Sequence, residues 1–168
     1  MSRNIDLSGL KNFRDKLQRL KAITDDDIVM AVAERGKEIA EIGFGSSAEK
    51  VEVIPLGNGW ARLEARGQGV SFLEYGIGTS GDGSYPDPTK VPTQPITFYS
   101  TKLKREYTTE NGWEYNYFAE HVRRENPNAK VEDVAGFQAK APMWHTANSL
   151  RDGKAASAVE QLFKERDI

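Results

Sequence analysis

Two glycine-rich segments have spacings that could form a phosphate-binding site. Residues 76–81 (GIGTSG) match the Gly-x-Gly-x-x-Gly spacing of a dinucleotide-binding fingerprint. That fingerprint holds pyrophosphate only where a helix N terminus follows, and residues 82–88 (DGSYPDP) cannot open a helix. The similar segment 43–48 falls at the end of a predicted helix instead of its start. Neither spacing therefore predicts a nucleotide site.

The two histidines, His121 and His145, are the next candidates for chemistry. A hydrolytic metal site needs two or three ligands at matched spacing, whereas these residues stand 24 positions apart and neither has a carboxylate at ligand spacing within a predicted helix. No serine lies in a nucleophile elbow before a helix. We interpret both histidines as surface or packing residues. The chain has no cysteine, which excludes disulfides, thiol catalysis and thiolate metal sites.

Glu74 is the acid with the most unusual surroundings, because it stands in the apolar segment FLEY at residues 72–75, directly before the glycine-rich segment. A carboxylate in an apolar place must be paired or accept hydrogen bonds from backbone amides. It also lacks the second carboxylate that a glycosidase needs. We predict that Glu74 ties down the following loop or crosses a subunit boundary. The sequence thus predicts no enzyme, no cofactor and no metal. The alternative is a small hydrolase or nucleotide-binding protein that uses Glu74, His145 and the glycine-rich loop.

The length and composition of the chain limit the class of protein to which these residues can belong. The chain has 168 residues, 38% hydrophobic and 29% charged, which predicts a single domain over residues 1–168. Its first residues lack the apolar stretch of a signal peptide, so we expect synthesis and retention in a cytoplasm. The net charge of −2 argues against wrapping nucleic acid by neutralising phosphates.

Positive charge is concentrated in residues 1–22, which hold six basic residues against Asp6 and Asp15. Three interpretations stay open: a patch for an acidic partner, a grazing contact in a DNA channel, or the solvated face of a helix. The six are Arg3, Lys11, Arg14, Lys16, Arg19 and Lys21.

Two amphipathic helices are predicted in residues 1–43. Apolar residues at helical spacing form a stripe in each. Thr24 with Asp27 three residues later resembles a capping box at the start of the second helix, and Gly43 and Gly45 should end it. The stripes are Leu7, Leu10, Phe13, Leu17 and Leu20 in the first helix, and Ile28, Val32, Ile39 and Ile42 in the second.

An antiparallel sheet is predicted over residues 50–75 and about 103–118. Strands at 51–54 and 60–66 flank the turn signal PLGNG, and residues 70–75 add a third strand, which gives a meander. A second hairpin should pair residues 103–107 with 113–117 around Asn111-Gly112. Residues 76–100 between them form a long loop, whose first part, 76–95, should be mobile until a neighbouring chain fixes it.

The chain should end in one long helix over residues 142–166, with Pro142 at its first position and a kink at Gly153. The order of elements predicts an α+β fold: an antiparallel sheet meander packed with two N-terminal helices and one long C-terminal helix.

Two stretches together give the chain a resemblance to a known family. VSFLEYGIGT at residues 70–79 is followed, after a long insertion, by AKAPMWHTA at residues 139–147, and GWEY at residues 112–115 precedes the second stretch. The chain resembles the siphophage neck and tail-completion proteins, also called head-tail joining or minor capsid proteins. It departs from the family in longer, more charged segments at residues 80–111 and 120–135, and in lacking a Pro-x-Asp-Thr-Gly turn after the second helix.

The resemblance implies a structural protein of the virion, assembled in the bacterial host cytoplasm. It implies a homo-oligomeric ring, commonly a hexamer, between head-closure or adaptor proteins and tail-terminator or tail-tube proteins. Double-stranded DNA would pass through the lumen without sequence-specific binding. A third interpretation is a monomeric adaptor that binds one partner through residues 80–111.

Subunit contacts are expected around the two motifs. We predict that Met143 packs inside the subunit, beside Phe72 or Leu63, while Trp144 lies at a subunit boundary. The expected interface or partner contacts are Glu74, Tyr75, Gly76, Gly78, Thr79, Tyr85, Trp144 and His145.

Overall fold

The computed structural model describes residues 8–67, 69–100, 104–110, 112–115, 123, 126–128 and 135–168. His121, Leu103 and Asn111 lie outside the described residues, as do Leu7 and most of residues 116–134. The elements confirm an α+β fold with two N-terminal helices, antiparallel hairpins and a helical C-terminal region. They are α1 (Ser8–Ala22), α2 (Asp25–Phe44), β1 (Lys50–Gly57), β2 (Trp60–Arg66), α3 (Val70–Tyr75), β3 (Thr97–Ser100), β4 (Arg105–Thr108), α4 (Pro142–Ser149) and α5 (Ala155–Glu165).

The described residues divide into two compact units that alternate along the chain. The first unit contains residues 8–38, 52–64 and 148–168. The second contains residues 39–51 and the described part of 65–147. None of the described helices has the length and apolarity to cross a bilayer.

The start of α2 is the capping box that the sequence predicts. Asp27 Oδ2 accepts hydrogen bonds from Thr24 N at 2.9 Å and Thr24 Oγ1 at 2.7 Å, and Asp27 N donates back to Thr24 Oγ1 at 3.2 Å. The backbone hydrogen bond from Thr24, followed by its hydroxyl, holds the pKa of Asp27 below the ordinary value. The reciprocal bonds fix the point at which the chain turns from α1 into α2.

The first hairpin is also confirmed, with a longer first strand than predicted. Asn58 (φ 54°) and Gly59 (φ 74°) both have positive φ, as the central residues of a type I′ turn require. Pro55, Leu56 and Gly57 belong to β1 and not to the turn. Gly59 N donates to Asp26 Oδ1 at 2.6 Å, which ties the turn to the start of α2.

The predicted third strand at residues 70–75 is wrong, because this segment is the short helix α3. Leu73 N donates to Gly69 O at 2.9 Å, and Gly76 N donates to Phe72 O at 2.8 Å. Gly76, with a φ of 84°, ends the helix. Periodicity cannot separate a strand from a helix in so short an apolar run, so the surrounding contacts decide it. The sheet is therefore two separate hairpins and not a meander.

The second hairpin uses a different partner strand from the one predicted. β4 overlaps the predicted strand 103–107, but it pairs with β3, whose residues fell in the predicted loop. The register places Phe98 opposite Tyr107, and their ring centroids are 5.5 Å apart. Trp113 is not in a strand; its ring packs against Phe98 at 6.1 Å instead. The observed pairing of β3 with β4 places two aromatic side chains opposite each other, a stabilising cross-strand contact that the pairing predicted from the Asn-Gly turn did not include.

The predicted C-terminal helix is divided by the kink expected at Gly153. Asp152 (φ −80°, ψ 20°) and Gly153 (φ 113°) have non-helical torsions within Leu150–Lys154, so α4 and α5 are distinct helices. A φ of 113° is accessible to glycine and strained for other residues.

The buried face of α2 differs from the predicted stripe at its C-terminal end. Ile42 is 83% exposed, while Ala40 and Phe44 are buried. Gly43 lies inside the helix, where a Cβ would come within 2.9 Å of Pro142 Cβ, and Gly45 follows the helix end with a φ of 52°. The absence of a side chain at residue 43 therefore permits close packing against the start of α4.

Candidate functional site

The site begins with Glu74, which is 5% exposed and lies in α3. Its carboxylate accepts hydrogen bonds from three donors. Oε1 accepts from Tyr85 Oη at 2.9 Å and from Trp144 N at 3.2 Å, and Oε2 accepts from Met143 N at 2.8 Å. Two of the three donors are backbone N–H groups in the first turn of α4.

Glu74 caps α4 from a distant part of the chain. The first N–H groups of a helix have no intrahelical acceptor, and a side chain before the helix usually supplies one. Ala141, directly before α4, has no such group and adopts a φ of 47°. Pro142 has no N–H, which leaves Met143 N and Trp144 N as the donors to be satisfied. A carboxylate at this position also complements the positive end of the helix dipole.

Backbone contacts join the same two segments. Leu73 O accepts from Lys140 N at 2.9 Å and from Ala141 N at 3.3 Å. Thr146, buried in the first turns of α4, donates from Oγ1 to Pro142 O at 2.8 Å. The stretches 70–79 and 139–147, which carry the family resemblance, therefore form one hydrogen-bonded unit.

The glycine-rich segment after α3 is fixed by its own chain. Ile77 and Phe137 exchange backbone hydrogen bonds of 3.0 and 2.9 Å, Gly78 N donates to Tyr115 O at 2.6 Å, and Ser80 N donates to Ala135 O at 2.9 Å. These bonds give residues 77–80 backbone partners within their own chain, while the mobility of residues 76–95 in the isolated subunit stays a prediction. Apolar area does not hold this segment; backbone hydrogen bonding to residues far along the chain does.

Close approach explains why residue 76 is glycine. A Cβ there would lie 2.8 Å from Ala139 N and 2.8 Å from Gly81 Cα, and the φ of 84° disfavours other residues. Gly81 is equally confined, since a Cβ would lie 2.4 Å from Ile77 N. The GIGTSG spacing thus serves a tight packed turn.

An aromatic cluster lies beside α3 and includes Tyr85, which donates to the carboxylate. Trp113 Nε1 donates to Gly76 O at 3.2 Å, and its ring lies 5.6 Å from Phe72 and 5.3 Å from Tyr75. Tyr75 in turn lies 5.1 Å from Tyr85. Tilted aromatic pairs at these distances are stabilising.

The phenols keep their protons beside Glu74. Burial, then the hydrogen bond and charge of Glu74, raise the pKa of Tyr85 far above its ordinary value. Burial, followed by the charge of Glu74, also raises the pKa of Tyr75. At neutral pH Tyr85 is therefore a stable hydrogen-bond donor to Glu74.

No family model matches this chain, and neither a curated protein nor a solved structure matches it.

The arrangement suits a structural carboxylate better than a reacting one. Both oxygens of Glu74 are directed at donors inside the chain, and among the described residues Glu74 has no hydrogen bond to His145. His145 is exposed, and its ring lies edge-on to Trp144 at 5.1 Å. Within the described ranges, His, Asp and Glu side chains form no group of three that could hold a metal ion.

The predicted contact residues fall into two groups by exposure. Glu74, Gly76, Gly78 and Tyr85 are buried within the chain, so they cannot touch a neighbour without local opening. The prediction of partner contact therefore rests on the other four. Of these, Thr79 and His145 are exposed, and Tyr75 and Trp144 are half-buried. Met143 is half-buried as well.

Sequence reasoning missed Trp113 and Phe137 as partners of the site. Nothing in their local pattern signals contacts with residues 76–77. One local signal for the Glu74 contact was present: a helix that opens at Pro142 after Ala141 has no capping side chain of its own. It must find an acceptor elsewhere, and a buried acid in an apolar run is the natural candidate.

A second surface stands out in the first unit. The apolar stripe of α1 is exposed to solvent: Leu10 by 66%, Phe13 by 62%, Leu17 by 41% and Leu20 by 43%. Among residues 10–22, only Asp15 is even half-buried. Helix α1 is thus an amphipathic helix whose apolar face is only partly covered by the described part of its own chain.

Proposed function

We propose that this chain is a structural ring component of a tailed-phage head-tail junction. In this role it links head-closure and tail proteins around the DNA channel and resides in the neck or tail of the virion. It performs no catalysis and requires no cofactor.

The observation that carries the proposal is the exposed apolar stripe of α1. A monomeric protein rarely exposes a contiguous patch of large apolar side chains, and such a patch marks a site of interaction. A helix of this length is also marginal in water without packing against another surface. A subunit that neighbouring chains complete accounts for both facts.

The unit around Glu74 supports the family resemblance. The two resembling stretches are separated by a long insertion, yet their backbones and the Glu74 carboxylate are directly bonded to each other. Each stretch therefore supplies hydrogen-bond partners to the other, which is a physical reason for both to occur in one chain. The net charge of −2 supports a channel through which DNA slides without adhering.

Native mass spectrometry and negative-stain electron microscopy of the purified protein test the proposal. We expect six- or twelve-fold species and closed rings with an opening wide enough for duplex DNA. A protein that stays monomeric at all concentrations, and whose melting temperature rises with a nucleotide or a divalent metal, would instead support the hydrolase or nucleotide-binding alternative. A discrete heterodimer without rings would support the adaptor.

A further inference from the structure

We propose that Asn58 is a site of spontaneous deamidation and that Asp26 slows this reaction by binding the backbone N–H group that takes part in it. Asparagine is among the thermolabile residues of proteins. It is most reactive before glycine, because a residue without a Cβ leaves its own backbone nitrogen accessible and mobile. Asn58 is exposed to solvent and is followed by Gly59. The inference does not depend on the proposed function.

The reaction joins the side chain of Asn58 to the backbone of Gly59. The Gly59 nitrogen loses its proton and attacks Asn58 Cγ. The bond from Cγ to Nδ2 then breaks, and the side-chain amide leaves as ammonia with the proton that Gly59 gave up. The five-membered succinimide that remains adds water at one of its two carbonyls, and that carbon's bond to nitrogen breaks. The product is aspartate or isoaspartate at residue 58.

One hydrogen bond opposes the loss of the proton. Gly59 N donates to Asp26 Oδ1 at 2.6 Å. A hydrogen bond to the neutral form of a group and a negative charge beside that group both disfavour its deprotonated form. The Asp26 carboxylate therefore stabilises the N–H group of Gly59 against the anion that must attack Asn58.

The conformation of the turn opposes the closure of the ring. Asn58 (φ 54°) and Gly59 (φ 74°) have the left-handed torsions of a type I′ turn. In such a turn the first central residue has a ψ of about +30°, which places the next nitrogen on the far side of the Cα–C bond from Cβ. The ring closes only after the peptide plane between the two residues rotates. That rotation breaks the bond from Gly59 N to Asp26.

Deamidation would change the contact between the hairpin and α2. Either product has a new carboxylate at residue 58, near Asp26 and near Asp25, whose Cβ is 3.4 Å from the position that a Cβ at Gly59 would take. Like charges at close range repel. Isoaspartate also adds a carbon atom to the backbone of a turn whose length sets the register of the strands. Protection of Asn58 therefore preserves the link between the hairpin and α2.

Peptide mapping by mass spectrometry measures the reaction at this one residue. Trypsin cleaves after Lys50 and Arg62, and the only amide side chain in the resulting peptide, VEVIPLGNGWAR, is that of Asn58. Deamidation increases the mass of this peptide. The folded protein and the same chain in concentrated urea are incubated at one pH and temperature before digestion. We expect Asn58 to deamidate more slowly in the folded protein.

Substitution of Asp26 tests the role of its carboxylate. Asp26→Ala should raise the rate at Asn58 in the folded protein by about three- to tenfold, the factor that one net hydrogen bond represents. Asp26→Asn, which keeps an acceptor oxygen without the charge, should raise the rate less. Asp25→Ala is the matched control, because it removes the same charge from the same turn of α2 and leaves the bond from Gly59 N to Asp26 in place. It should raise the rate less than Asp26→Ala does.

The second Asn-Gly pair, Asn111-Gly112, is an internal reference, since opening of the whole chain would accelerate deamidation at both pairs. Asn111 should react at the same rate in Asp26→Ala and the wild type. If Asp26→Ala does not fold, Asp26→Asn gives the same comparison.

Four results would overturn the proposal. Equal rates at Asn58 in the folded wild type and in urea would show that the fold does not protect this residue. An unchanged rate in both Asp26 variants, an equal increase in Asp25→Ala, or a parallel increase at Asn111 would show that the bond to Asp26 is not what protects it.

Discussion

Replacing Glu74 with glutamine keeps the size of the side chain and removes its charge. The glutamine oxygen can take the position of Oε1 and still accept from Tyr85 Oη and Trp144 N. Its NH2 group then faces Met143 N, so two donors oppose each other where Oε2 accepted a bond of 2.8 Å. The substitution thus leaves a buried donor unsatisfied and removes negative charge from the start of α4.

The magnitude follows from these losses. An unsatisfied buried donor costs about 1–3 kcal/mol, and a charge at a helix terminus contributes up to about 2 kcal/mol when partly buried. The relief of burying one charge fewer offsets part of the sum. We expect Glu74→Gln to lower the free energy of unfolding by about 2 kcal/mol. Glu74→Ala, which leaves all three donors without an acceptor, should lower it by about 3–5 kcal/mol, since each unsatisfied buried donor costs about 1–3 kcal/mol.

Urea unfolding at one fixed protein concentration, followed by circular dichroism, measures these changes. Glu160→Gln is the matched control, since Glu160 is exposed and its loss should change the free energy by less than about 0.5 kcal/mol. Equal stability of Glu74→Gln and the wild type would refute the conclusion that this carboxylate caps α4.

Three further outcomes follow from the structure. Gly76→Ala should lower the free energy of unfolding by about 2–5 kcal/mol. Gly83→Ala, where φ is positive but the space around the residue is open, should lower it by about 1 kcal/mol. Equal urea midpoints for the two variants would contradict the close packing around Gly76. The lowered pKa of Asp27 means that its stabilisation is present above the ordinary value of about 3.8 and is lost as pH falls through the lower folded value. The difference in melting temperature between wild type and Asp27→Asn should therefore be constant near neutral pH and vanish in strong acid; a constant difference at all pH values would refute it. Trp144→Ala should reduce ring formation in native mass spectra more than subunit stability, while Met143→Ala should mainly reduce stability, by about 2 kcal/mol; the reverse pattern would show that the two faces are exchanged.

The sequence was most informative where the deciding contacts lie within a few residues. The capping box at Thr24 and Asp27 joins residues three apart, and the Asn58-Gly59 turn needs only two residues that tolerate positive φ. The kink at Gly153 is likewise local, because it follows from the conformational freedom of one glycine. Such features depend on short-range sterics and hydrogen bonds, which the chain carries wherever it is placed.

Only the tertiary structure decided whether residues 70–75 form a strand or a helix, which strand pairs with β4, and which groups Glu74 binds. A short, mainly apolar segment such as residues 70–75 suits a strand or a helix equally, and it forms α3 where Leu73 O and the Glu74 carboxylate contact the start of α4. Those donors stand about seventy positions away along the chain. No local pattern can encode such a contact, because loop closure brings the groups together only when the whole unit folds. The sequence identified Glu74 as an acid that must accept hydrogen bonds, and the tertiary structure determined which groups donate them.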